Sequence, residues 1–98
     1  MTTAEKFSRI REIDNCLQCT DIRLMQPSVE AAENFVRLLD EGMALADEIN
    51  MSEITDMSDL QKQVFFQNFR EIARVQRVRV FWDWRDYLPK PWEWKPAV

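Results

Sequence analysis

SVEAAENFVRLLDEGMALADEIN, residues 28–50, carries the clearest structural signal in the chain. Ala32, Phe35, Val36, Leu39, Met43, Ala46 and Ile49 recur at steps that gather them on one face of a helix of 3.6 residues per turn. Glu33, Asp40, Glu41, Asp47 and Glu48 fall on the other side. Ser28 offers an N-cap hydroxyl, and Glu30 puts a negative charge in the first turn, where the helix dipole favours it. Gly42, inside the helix, costs about 1 kcal/mol relative to alanine on propensity alone. A helix patterned this way needs apolar neighbours, and the flanking segments provide them.

Upstream, the spacing predicts a helix over about 3–25. Thr2 and Glu5 fit a capping box, and Ile10, Ile13, Leu17, Thr20 and Leu24 form a stripe with Phe7 at its edge. Pro27 ends this helix, because the residue before a proline is driven away from helical geometry. Downstream, a helix is predicted over about 57–82, capped by Ser58 and Gln61. Leu60, Val64, Phe65, Phe66, Phe69, Ile72, Ala73, Val75 and Val78 cover more than half of its girth, so it must touch neighbours on two sides. It is either the central helix of the fold or the face that meets a second chain. From Val78 to Arg85 the pattern alternates, as a fraying helix end or a short extended stretch would. Pro89, Pro91 and Pro96 then exclude regular helix. The predicted fold is all-α: one domain, 1–98, built as a three-helix antiparallel bundle (about 3–25, 28–50 and 57–82) with an extended Trp/Pro-rich C-terminal tail over 83–98.

Composition narrows the function classes. A single glycine, Gly42, argues against the tight turns of a small β fold. The absence of histidine removes the commonest general base and the commonest metal ligand. No nucleophile–base pair, phosphate-cradling glycine loop or cofactor motif is present, so no catalytic residue, cofactor or metal is assigned and a non-enzyme is expected. Cys16 and Cys19 form a CxxC, but a structural zinc needs four ligands and a redox motif normally opens a helix after a strand. Packing on or beside the apolar stripe is expected for them, ahead of a redox pair or a metal shared between two chains. Glu30 with Glu33, or Asp40 with Glu41, lacks the histidine of a di-metal bundle and reads as a solvated face. With no long apolar run and no leader-like N-terminus, a cytoplasmic setting is expected.

Charge is unevenly spread. Residues 27–60 carry one basic side chain, Arg37, against nine acidic ones, whereas residues 61–98 carry eight basic against four acidic. The two regions are expected to pair with each other. Arg70, Arg74 and Arg77 form one helical ridge, continued by Arg79. Beside tryptophans, that ridge also suits phosphate contact with base stacking, which makes nucleic-acid binding the alternative function.

The aromatic C-terminus points elsewhere. Trp82, Trp84, Tyr87, Trp92 and Trp94 are large rigid side chains of the kind enriched at binding hot spots, with Arg85 and Lys90 as polar rim contacts. The competing reading is that the tail folds back to roof a small core. The expected function is a non-enzymatic protein–protein interaction module (an adaptor, accessory subunit, assembly factor or inhibitor). Its partner is another protein, with a homodimer through the third helix favoured because Phe65, Phe66 and Phe69 exceed what one thin core needs.

Overall fold

Periodicity and caps turn directly into the elements of the structure, a computed structural model that describes residues 1–21 and 24–88. Helix α1 spans Thr3–Cys19, α2 Val29–Glu48 and α3 Asp59–Asp83. One 3-10 turn, Met51–Glu53, lies in the second connection and another, Arg85–Tyr87, follows α3. Each helix begins on a hydroxyl: Thr2 Oγ1 accepts from Glu5 N, Ser28 Oγ from Ala31 N and Ser58 Oγ from Gln61 N. Only Ser58 completes a capping box, its N–H donating to Gln61 Oε1 at 2.8 Å. At the start of α1, Glu5 takes the hydroxyl hydrogen of Thr2 instead.

Ion pairs fix the helix register. Lys6–Glu48 and Arg9–Glu41 join the start of α1 to the end of α2. Arg70–Asp47 and Arg77–Asp40 join α2 to α3, the later α2 residue meeting the earlier α3 residue. Hence α2 runs antiparallel to both neighbours, and α1 lies parallel to α3. The acidic helix predicted to pair within the chain does so on both sides. Such exposed pairs contribute little each, so their role is registry more than stability.

The core runs along the seam between the three helices. Ile10, Ile13 and Leu17 from α1, Leu39 from α2 and Phe69 and Val80 from α3 are its most completely buried side chains. Phe7, placed at the stripe's edge by sequence, belongs to this core and packs on Phe65 and Phe66 at 5.3 and 5.8 Å between ring centroids. The aromatic surplus of α3 is thus absorbed within one chain, since α3 contacts both α1 and α2. Gly42 marks the closest approach: a Cβ there would stand 2.7 Å from Phe69 Cζ and 3.1 Å from Ile13 Cγ2.

Several expectations need correction. Helix α1 stops at Cys19, not near Met25, because Thr20 turns extended and Gln76 of α3 donates from Nε2 to the carbonyls of Leu17 and Thr20 at 3.0 and 3.3 Å. Leu24 therefore leaves the stripe and is 86 % exposed. Leu60 and Val64 are exposed as well, beyond the reach of α1 and α2. The alternating stretch from Val78 is helical as far as Asp83. The tail is not extended from residue 83: Trp84 N donates to Val80 O, Tyr87 N to Trp84 O, and Trp84 and Leu88 enter the core. The remaining tail, 89–98, lies outside the described residues.

The Arg9–Glu41 pair gives a pH-dependent expectation. Glu41 accepts from Arg9 Nε and Nη2 at 2.7 and 2.9 Å, which holds its carboxyl below the usual carboxylate range. A folded-state pKa below the unfolded one gives stability that is present above the unfolded pKa and is lost as pH falls through the folded pKa. Both side chains are more than a third exposed, so screening keeps the contribution below about 1 kcal/mol. Glu41→Gln is expected to lose that amount at neutral pH and to match the wild type in strong acid, in urea titrations at both conditions.

Candidate docking end of the bundle

The up-down-up course of the chain brings the end of α1, the start of α2 and the end of α3 to one end of the molecule. Exposed apolar side chains gather at that end. Leu24 and Met25, in the first connection, are 86 % and 40 % exposed; Val29, opening α2, is 53 % exposed; and Trp82, in the last turn of α3, is 62 % exposed. A groove of about 460 Å³ opens here, walled by Met25, Ala31, Phe35 and Leu38, with Ser28, Glu30 and Asn34 supplying polar edges.

Trp82 and Trp84 take opposite roles for a geometric reason. Two helical steps rotate a side chain by about 200°, so residues two apart face opposite sides. Trp84 points inward, is 3 % exposed and meets Phe35 edge-on at 6.2 Å between centroids. Phe35 lines the groove from the other side of that contact. Trp82 points outward and meets the half-buried Phe81 edge-on at 5.1 Å. The Arg85 guanidinium lies 5.5 Å over the same Phe81 ring. Phe81, Trp82 and Arg85 thus form an aromatic and cationic cluster at the rim.

Of the partner-binding residues predicted from sequence, Trp82 and Arg85 are exposed, Tyr87 is half-buried against the core, and Trp84 is withdrawn into it. Trp84 is therefore a structural anchor and is removed from the docking set. Lys90, Trp92 and Trp94 lie outside the described residues. Leu24, Met25, Val29 and the groove were missed by sequence reasoning.

The arginine ridge is engaged with carboxylates. Arg70 donates to Asp47 and Arg77 to Asp40, both at 2.8 Å, and Arg74 binds Glu71 on its own helix. The Arg74 pair holds Glu71 below the usual carboxylate range. Between α2 and α3 the three arginines border a groove of about 280 Å³ floored by Leu39, Met43 and Ala73. Arg79 is exposed and lines a separate cleft at the end of α1.

Cys16 and Cys19 are free and exposed, not packed; on this part of α1 the core positions are taken by Ile13 and Leu17. Among the described residues, no three His, Cys, Asp or Glu side chains are placed to hold a metal ion, and no helix is long and apolar enough to cross a membrane. No protein-family model matches the chain, and no curated protein or solved structure is significantly similar to it.

Proposed function

We propose that this chain is a non-enzymatic protein–protein interaction module that docks its partner on the end of the bundle formed by the first connection, the start of α2 and the end of α3. The observation that carries the reading is the gathering of exposed Leu24, Met25, Val29 and Trp82 at the end where an apolar groove opens. Contiguous apolar surface with a polar rim is what association uses, and an exposed tryptophan beside an arginine is a typical hot-spot pairing. A partner presents an apolar side chain to the groove while Arg85 makes rim contacts. Lys90, Trp92 and Trp94 follow Leu88 in the chain and are part of the proposed partner-binding set by residue type alone. A second copy of this chain is the first candidate partner, and the setting is cytoplasmic.

A photo-crosslinking residue placed at position 82 or 29 of the full chain tests this, with position 63 on the side of α3 as control. A saturable protein adduct at 82 and 29 but not at 63, competed by unlabelled wild type and poorly by Trp82→Ala, is expected. Its formation should change little with salt. Adducts independent of position, with no self-association in sedimentation equilibrium, would remove the reading. Capture of nucleic acid that falls steeply with salt and depends on Arg79 would move the function to the arginine alternative.

A further inference from the structure

We infer that Cys16 and Cys19 are a disulfide-forming pair, closed by exchange with a low-molecular-weight disulfide, and that closure releases the end of α1 from Gln76. Both thiols are free and exposed, and they sit in the last turn of α1. Residues three apart in a helix have Cα atoms about 5 Å apart, inside the range that a disulfide spans. Their Cβ atoms stand about 5–6 Å apart, whereas a disulfide needs about 3.5–4.5 Å. The turn must therefore tighten or unwind by about 1–2 Å to close the bond.

In the middle of a helix that movement would break backbone hydrogen bonds on both sides. Here the turn is terminal: its carbonyls have no intrahelical partner, and Thr20 already leaves the helix in extended geometry. What holds the turn is Gln76, 4 % exposed, whose Nε2 donates to Leu17 O and Thr20 O. Two carbonyl acceptors fix the orientation of the amide, and its buried Oε1 has no hydrogen-bond partner among the described residues. The clamp is thus incompletely satisfied on the α3 side and joins the turn whose shape the disulfide changes. A disulfide strained in this way is of the labile, reversible class.

The chemistry balances with the small disulfide as oxidant. One cysteine thiolate attacks a sulfur of the small disulfide, forming a mixed disulfide and releasing one thiolate. The second cysteine thiolate then attacks the protein sulfur of that mixed disulfide, forming Cys16–Cys19 and releasing the second. Two electrons pass to the small disulfide, and the two protons from the cysteines go to the departing thiolates or to solvent.

Oxidised glutathione is the probe, applied to the folded full chain with intact mass and peptide mapping as readout. The wild type is expected to lose two hydrogens and carry no glutathione, while Cys16→Ser and Cys19→Ser each retain one glutathione. Amide hydrogen exchange at residues 17–21 and at the Gln76 side chain should rise several-fold on oxidation and return with reductant. Stable glutathione adducts on both cysteines of the wild type, or a disulfide formed only in denaturant, would overturn the pairing. A disulfide that leaves exchange at the end of α1 unchanged would overturn the release.

Discussion

Trp84→Ala lowers the stability of this chain by about 3–5 kcal/mol, the usual loss for a large buried aromatic, while Trp82→Ala changes it by no more than about 0.5 kcal/mol. The two tryptophans are two residues apart and chemically identical, so the contrast isolates position. Trp84 closes the end of the core: it is 3 % exposed, packs edge-on against Phe35 and directs the 3-10 turn that carries Leu88 inward. Its removal leaves a cavity that Phe35 cannot fill without leaving the groove wall. A domain of this size has about 5–15 kcal/mol in total, so the variant is expected to be partly unfolded on mild warming. Urea denaturation followed by circular dichroism measures both variants. Equal losses at the two positions would mean that the end of α3 is not packed as described.

Phe69→Ala should be comparably severe, at about 3–5 kcal/mol, and its interaction with Gly42 makes the more searching test. Gly42→Ala alone should gain about 1 kcal/mol in helix propensity. Its new Cβ would meet a fully buried ring and Ile13 at contacts that neither can easily yield. Overpacking of this kind costs about 1–3 kcal/mol, so the single variant is expected to be destabilised. Once Phe69 is alanine the obstruction is gone and part of the vacated space is filled. In that background Gly42→Ala should stabilise. A double-mutant cycle from chemical denaturation then shows the sign of one substitution reversing with its neighbour. Additive effects would place Phe69 away from Gly42.

Much of the fold was legible because it rests on local rules. The α2 stripe, the capping hydroxyls of Ser28 and Ser58 and the charge opposition between α2 and α3 were all readable from spacing. What sequence missed has tertiary causes. The end of α1 is set by Gln76, which lies on another helix, so Leu24 looked like a core residue when it is surface. Lys62, a residue type rarely buried unless paired, lies in the interior with its ammonium on Met51 O at 2.9 Å, a partner that exists only once the second connection folds into its 3-10 turn. The cost of Gly42 was visible, but its reason, the approach of Phe69 and Ile13, was not.

The candidate site was legible only in part. Trp82 and Arg85 stood out by residue type, and the rotation that separates Trp82 from Trp84 became readable once the helix was known to run to Asp83. Met25 and Val29 come from a connection and a helix entry, where no periodicity marks which side faces solvent, and periodicity placed Leu24 on the wrong side, on the stripe of α1. Their grouping with Trp82 is a product of topology.

The amide of Gln76 reaches carbonyls 59 and 56 residues earlier in the chain. During synthesis, the first helix emerges long before the residue that terminates it. Its last turn can be secured only after most of α3 has left the exit tunnel and returned alongside α1. Maturation of the bundle therefore runs backwards relative to translation at this end, with the earliest helix finished by one of the latest contacts. Until then the faces of α1 and α2 that meet α3 lack their partner.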